Sequence, residues 1–229
     1  MKMSTSEIFS NLFDGFILTV LLFLITLVLA IPLGMLMSLG SMSKFKPLKW
    51  LMKAIIWVIR GTPLMLQIVV VSFIPSYVFT IPNKAIAAFF GTTMANINFV
   101  FCVIAFVINY AVYFSEIFRG GIESIPKGQY EACAVLGMTK TQTFGKVILP
   151  QVIKRIIPPM GNEIITLVKD TALARAIGVV EIIKAAQDAV NLSVSIWPLF
   201  YSGIFYLLFN GLLTLLFRFA EKKLSYYHT

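Results

Sequence analysis

The stretch FILTVLLFLITLVLAIPLGMLMSL, residues Phe16 to Leu39, holds no charged side chain. A helix needs about 20 consecutive apolar residues to cross the hydrocarbon core of a bilayer. This run is long enough, and it decides the class: an all-α integral membrane protein. Pro32 and Gly34 lie near its inner end, where a kink is tolerated because neighbouring helices can satisfy the freed backbone groups. No short apolar core with a small-residue cleavage site marks the run as a removable signal, so it is expected to be a retained helix.

The rest of the chain extends the same pattern. Of 229 residues, 59% are hydrophobic, and the mean hydropathy is +0.88; soluble domains sit nearer 45–50% apolar. After the first run comes a basic loop with Lys44, Lys46, Lys49 and Lys53. Trp50 to Ile59 is amphipathic to apolar, is interrupted by Arg60-Gly61-Thr62-Pro63, and resumes from Leu64 to about Phe79. This reads as one broken spanning segment, because Pro63 disfavours helix at the residue before it and Gly61 weakens it further. An outer loop, about 81–98, carries only Lys84. A third span is expected over Phe99 to Phe118, then a long polar stretch from Arg119 to Gln151. A fourth span starts near Lys154-Arg155 and reaches about Thr171. A weaker segment, Ala172 to Val190, is expected as a re-entrant or outer helix, and a last span covers Ile196 to Phe219. The chain is thus expected to be one transmembrane domain over residues 1–229, with about five helices.

Charge orients it. The net charge is +9, from 19 Lys+Arg against 10 Asp+Glu. The cations gather around residues 44–53, 119–155 and 218–223, between apolar runs. Short cytoplasmic loops are enriched in Lys and Arg, which puts these loops inside, the N-terminus outside and the C-terminus inside. No basic face exists away from the membrane flanks, so nucleic acid is excluded as a partner. The 20 phenylalanines read as packing toward lipid. Tyr226 and Tyr227 read as an inner-interface anchor, and His228 as a tail residue without chemistry. Cys102 lies in an apolar run and Cys133 in a polar loop; different depths argue against a disulfide, and two lone cysteines offer no metal spacing. No phosphate-binding Gly-x-x-x-x-Gly-Lys-Ser/Thr loop is present, since Gly145-Lys146 is followed by Val147. No Ser/His/Asp set appears either. No unaided hydrolysis, cofactor or metal is expected.

The most informative loop runs from Ser124-Ile125-Pro126-Lys127-Gly128-Gln129-Tyr130 through Glu131-Ala132-Cys133-Ala134-Val135-Leu136-Gly137 to Leu149-Pro150. Pro126 is suited to opening a helix and Gly137 to ending it. Tyr130, Ala132, Ala134 and Leu136 supply a short apolar surface. A second short segment, Gln142 to Leu149, is expected to stop at Pro150. A helix this short cannot bury its apolar face alone, so it docks on a partner or lies on the membrane.

This loop resembles the cytoplasmic signature of ABC-importer permeases: Glu-Ala-Ala, three residues, Gly, nine residues, Ile, one residue, Leu-Pro. Here it reads Glu131-Ala132-Cys133, Gly137, Val147 and Leu149-Pro150, with Cys133 in place of the second Ala and Val147 in place of Ile. Three further stretches resemble the polar amino-acid branch of that family: Arg60-Gly61-Thr62-Pro63-Leu64, the run Tyr113 to Ile122 with Glu116 and Arg119, and Lys169-Asp170-Thr171-Ala172-Leu173. The resemblance implies a permease in the bacterial cytoplasmic membrane that pairs with a second permease chain, identical or paralogous. It further implies ATP-binding-cassette subunits on the inside, engaging a coupling loop of Tyr130, Glu131, Ala132, Cys133, Gly137, Leu149 and Pro150, with the loop helix seated in the ATPase and Gly137 permitting the sharp turn after it. An extracytoplasmic amino-acid-binding protein would deliver a polar amino acid from outside.

Charge inside the fourth span is independent of any resemblance. An ionised side chain at the bilayer centre costs roughly 2.5–3.5 kcal/mol on insertion scales, so such residues usually face a cavity, a partner or a substrate path. Glu163, Thr166 and Asp170 share one helix face by their spacing, and Asn162, Thr166 and Lys169 form an adjacent stripe. Such a wall could meet the ammonium and carboxylate of a zwitterion; the plainer reading is a Lys–Asp or Lys–Glu pair sealing a subunit interface. Glu116 sits at i,i+3 from Arg119, where a local ion pair is the simpler role. Thr62 and Tyr113 are weaker candidates. Two rivals to an ATP-driven importer remain at this level: a transporter driven by an ion gradient through Glu163 or Asp170, and an assembly subunit of a membrane complex. The first would normally show internal repeats, and none is visible.

Overall fold

The computed structural model describes residues 4–224; Tyr226, Tyr227 and His228 lie outside the described residues. Every regular element among these residues is helical. The elements are α1 (Thr5–Met42), α2 (Lys46–Arg60), α3 (Leu64–Tyr77), α4 (Asn83–Phe89), α5 (Met94–Glu123), α6 (Lys127–Val135) and α7 (Lys140–Gln142). A π-helical turn, Thr143–Ile148, leads into α8 (Leu149–Asp170). A 3-10 segment, Thr171–Ile177, then leads to α9 (Ile182–Ser193) and α10 (Trp197–Leu224).

Three helices, α1, α5 and α10, are long and apolar enough to cross a bilayer. The pair α2 and α3 passes the same test together but is bent by 108° at the Gly61–Pro63 break. The segment expected as one interrupted span is therefore two helices at a sharp angle, and α3 alone, at 14 residues, is shorter than the ~20 a span needs. The first and third spans are longer than the apolar runs suggested. Ser4 accepts from the Glu7 N–H and Glu7 returns to the Ser4 N–H, a reciprocal cap that starts α1 well before Phe16. Thr93 caps α5 through the Asn96 N–H. The expected outer loop contains the short helix α4.

Helix α5 is the axis of the bundle. It packs along α1, α3 and α8, and its Phe106, Tyr110 and Phe114 sit in the main core with Leu22, Ile68, Leu167 and Val168. Apolar contact drives little between helices already in lipid, so close backbone approach matters. Gly34 of α1 provides it: a Cβ there would come within 2.7 Å of the Ala111 carbonyl oxygen and 2.9 Å of Phe114 Cβ. Helix α9 packs on the N-terminal half of α1 and on α10, burying Ile182, Ala185, Ala186 and Ala189 with Ile8 and Leu12. The weak segment between the last two spans is thus a docked amphipathic helix. Its N-terminus is capped by fully buried Glu181, whose carboxylate accepts from Ile183 N–H and Lys184 N–H at 2.8 Å each. Helix α10 leaves most of its apolar surface uncovered, including Leu207, Leu208, Leu212, Leu215 and Phe219.

In the loop after α5, α6 begins after Pro126 and ends at Val135, Leu136 caps it, and Gly137 follows with φ +69°. That backbone state strains residues with a Cβ, which explains a glycine at the turn. Pro150, expected to stop a helix, does not. The wide π-helical turn 143–148 runs directly into α8 and leaves Pro150 in its first turn, where a proline has no N–H to miss. Cys133, expected in a polar loop, is 3% exposed on the inward face of α6, and both cysteines are free thiols.

Candidate functional site

The break between α2 and α3 is where the site begins. Ending a helix in mid-protein strands carbonyls that need donors. Gln67, one turn into α3, supplies them: its amide nitrogen lies 2.8 Å from Ile59 O, 3.1 Å from Thr62 O and 2.8 Å from Thr62 Oγ1. Gln67 Oε1 in turn accepts from Asn109 Nδ2 at 2.9 Å. The break is therefore tied to α5 by a side-chain network rather than left loose. Thr62 Oγ1 also returns to Val58 O at 3.0 Å.

This anchoring opens a polar cavity of about 560 Å³ between the break, α5 and α8. Arg60, Thr62 and Pro63 form one wall, Asn109, Tyr110 and Tyr113 a second, and Glu163, Thr166 and Asp170 a third. Its α5 residues lie about midway along that helix. The third wall is the face expected from the i, i+3, i+7 spacing. Thr166 satisfies its hydroxyl on Asn162 O at 2.9 Å. Asp170 accepts a 2.6 Å hydrogen bond from the Tyr110 hydroxyl, and Tyr110 is 1% exposed. The guanidinium carbon of Arg60 sits 5.6 Å from the Tyr113 ring centroid, a cation–π distance. One cation and two carboxylates thus share a volume that fits a small zwitterion.

A second, larger cavity of about 750 Å³ lies beside it, toward the ends of α1 and α5. Arg60 and Gly61 line both. Here Glu116 accepts from Arg119 Nε at 3.0 Å and Nη2 at 2.7 Å, and lies 3.3 Å from Arg60 Nη1. Arg119 also reaches Glu123 at 2.7 Å. The local pair expected at Glu116 is present, and the cross-helix contact to Arg60 is added to it.

Of the candidate path residues, the cavity brings together Thr62, Tyr113, Glu163, Thr166 and Asp170. Glu116 belongs to the neighbouring vestibule. Asn162 lines a separate small groove against α10, and Lys169 is exposed off the cavity wall. Thr171 is fully buried, donating to Val168 O at 2.6 Å with Tyr206 OH 3.4 Å away. Arg60, Asn109, Tyr110 and Gln67 were not among the candidates. Tyr110 and Asn109 sit in an apolar run; two adjacent hydrogen-bonding side chains at that depth were the available signal.

Just beyond the C-terminal end of α5, the loop that carries α6 exposes large apolar side chains. Val135 is 88% and Leu136 77% exposed, and Tyr130 and Phe144 are also exposed. Tyr130, Ala134, Met138 and Phe144 line an apolar cleft of about 440 Å³. Glu131 stands beside it on the solvent side of α6. Leu149 and Pro150 hold the start of α8.

The chain belongs to the family of the Binding-protein-dependent transport system inner membrane component, whose family model matches residues 30–226. It is 36% identical over 215 residues to the L-cystine transport system permease protein TcyB of Bacillus subtilis (strain 168), covering 93% of this chain and 86% of that one. It is 32% identical over 213 residues to the arginine transport system permease protein ArtQ of the same organism, covering 93% and 91%. Among solved structures, the crystal structure of an amino acid ABC transporter with histidines superposes with a TM-score of 0.79 at 28% identity, covering 97% of this chain and all of that one. The inward-facing MetNI methionine ABC transporter shares the fold, with a TM-score of 0.68 at 17% identity.

Proposed function

We propose that this chain is the transmembrane permease subunit of an ATP-binding-cassette importer for a polar amino acid, working in the bacterial cytoplasmic membrane. It carries no nucleotide site of its own, and separate ATPase subunits supply the energy. The observation that carries the substrate reading is the cavity that sets Arg60 against Glu163 and Asp170. A free amino acid presents a carboxylate and an ammonium a few ångströms apart, and this cavity presents both complements. The relatives named for cystine and arginine transport support the same class.

In this reading the whole chain is one transmembrane domain of five spans, N-terminus outside. Here α1, the broken α2–α3 pair, α5, α8 and α10 cross, while α9 lies docked at the outer side. The basic loops at 44–53, 119–155 and 218–223 face the cytoplasm. Helix α6, with Tyr130, Glu131, Ala132 and Cys133, and the turn at Gly137 form the coupling loop against the ATPase, and Leu149 and Pro150 connect that loop to α8. The uncovered surface of α10 meets lipid and a second permease chain. An extracytoplasmic binding protein delivers the substrate. ATP-driven movement of α6 would rock the bundle and expose the cavity to alternate sides.

Uptake of labelled amino acids by cells carrying the assembled importer tests this. Glu163→Gln and Asp170→Asn remove charge at nearly constant volume, and each is expected to lower uptake at least about tenfold, the equivalent of ~1.4 kcal/mol, with assembly intact. Uptake at the wild-type rate in both variants would remove the cavity from the path.

A further inference from the structure

The vestibule beside the substrate cavity carries an excess of positive charge that the transport reading does not use. Its ionisable lining is Lys49, Lys53, Arg60 and Arg119 against Glu116 and Glu123. Both carboxylates are already engaged by the two arginines. Lys49 and Lys53 make no hydrogen bond or ion pair among the described residues, although both point into an open volume of about 750 Å³. Two unpaired ammonium groups one helical turn apart leave the site short of an anion.

The rest of α2 specifies what kind of anion. Adjoining the basic face, Trp50 is 73% and Trp57 78% exposed, followed around the helix by Leu51 and Val58. Trp57 itself lines the vestibule. A short helix with lysines on one side, tryptophans at the boundary and aliphatic side chains beyond has the composition of a segment that meets a membrane interface. A soluble anion would be served by the lysines and would gain nothing from the apolar strip. A molecule with a phosphate at one end and hydrocarbon at the other uses both.

We infer that the α2 vestibule is a binding site for an anionic phospholipid, with the phosphodiester head group on Lys49 and Lys53 and the acyl chains along Trp57, Val58 and Leu51. This rests on the reading of the chain as a membrane protein whose basic segment at 44–53 lies at the membrane surface. It does not depend on which side of the membrane that segment faces. Because Arg60 lines both cavities, an anion seated here adjoins the residue that would hold the substrate carboxylate.

Tryptophan quenching reads the site directly. In the full-length chain with Trp197→Phe, only Trp50 and Trp57 fluoresce. In nanodiscs of phosphatidylcholine, brominated phosphatidylglycerol is expected to quench them at least about threefold more effectively than brominated phosphatidylcholine at equal mole fraction. Lys49→Gln with Lys53→Gln should abolish that preference. Equal quenching by the two lipids would overturn the site, and so would a preference that survives the double substitution. The readout involves no transport, so failure of the importer reading would leave it standing, and the reverse.

Discussion

The cavity and the loop that carries α6 are built on opposite principles. Around the cavity, polar groups are concentrated where the chain is otherwise apolar, and most are tied to other groups of the chain: Gln67 to the broken backbone and Asn109, Tyr110 to Asp170, and Arg60 outward to Glu116 of the vestibule. In the loop, apolar groups are concentrated where the chain is otherwise polar, and Val135 and Leu136 touch little. A buried polar group costs free energy unless it is paired, so the cavity must be satisfied from within the chain. An exposed apolar face on a nine-residue helix gains nothing until another surface covers it. In the proposed reading the first region lacks only its substrate, and the second lacks the protein surface that would cover it.

That contrast can be broken experimentally. Replacing Val135 and Leu136 together by Asp should cut uptake about a hundredfold, the scale of a lost interface anchor, while thermal unfolding of the isolated chain in detergent stays unchanged. A clear fall in unfolding temperature would mean that these side chains are part of the chain's own core. Tyr110→Phe should show the reverse pattern. It removes a hydrogen bond to a carboxylate, worth about 1.5–3 kcal/mol, so the isolated chain should melt earlier while its ATPase still co-purifies. Arg60→Gln should have the smallest effect on stability. The side chain is 47% exposed and its pair with Glu116 is 3.3 Å long, which places its contribution below about 1 kcal/mol. Its effect on uptake should be larger than its effect on melting, and equal effects would make Arg60 a structural residue.

The two regions also differed in how far they could be read from sequence. The loop was legible because its signals are local: Pro126 before a helix, Gly137 after it, a signature with fixed spacings. Two expectations there failed: Cys133 is buried on α6, and the stop at Pro150 gave way to a π-helical turn that no local propensity announces. The cavity was half legible. Glu163, Thr166 and Asp170 followed from helical spacing, since charges in an apolar run stand out and their period is fixed. Tyr110, Asn109 and Gln67 did not, because their roles arise from α3, α5 and α8 meeting across separations of tens of residues. Lys169 and Asn162 do not line this cavity for a related reason: spacing assigns them to a stripe, but only packing decides which stripe faces the cavity. Among the spans, three were plain from hydropathy, whereas the 108° bend at Gly61–Pro63, bridged by Gln67, is a matter of angle that hydropathy does not report.

The central claim is that this permease couples to ATP through α6, and purification from its native membrane in mild detergent tests it most directly. An ATP-binding subunit should co-purify with the tagged chain, and should be lost when Glu131 and Gly137 are both replaced while the chain itself remains folded. Recovery of the intact chain alone, at high yield, would contradict the account.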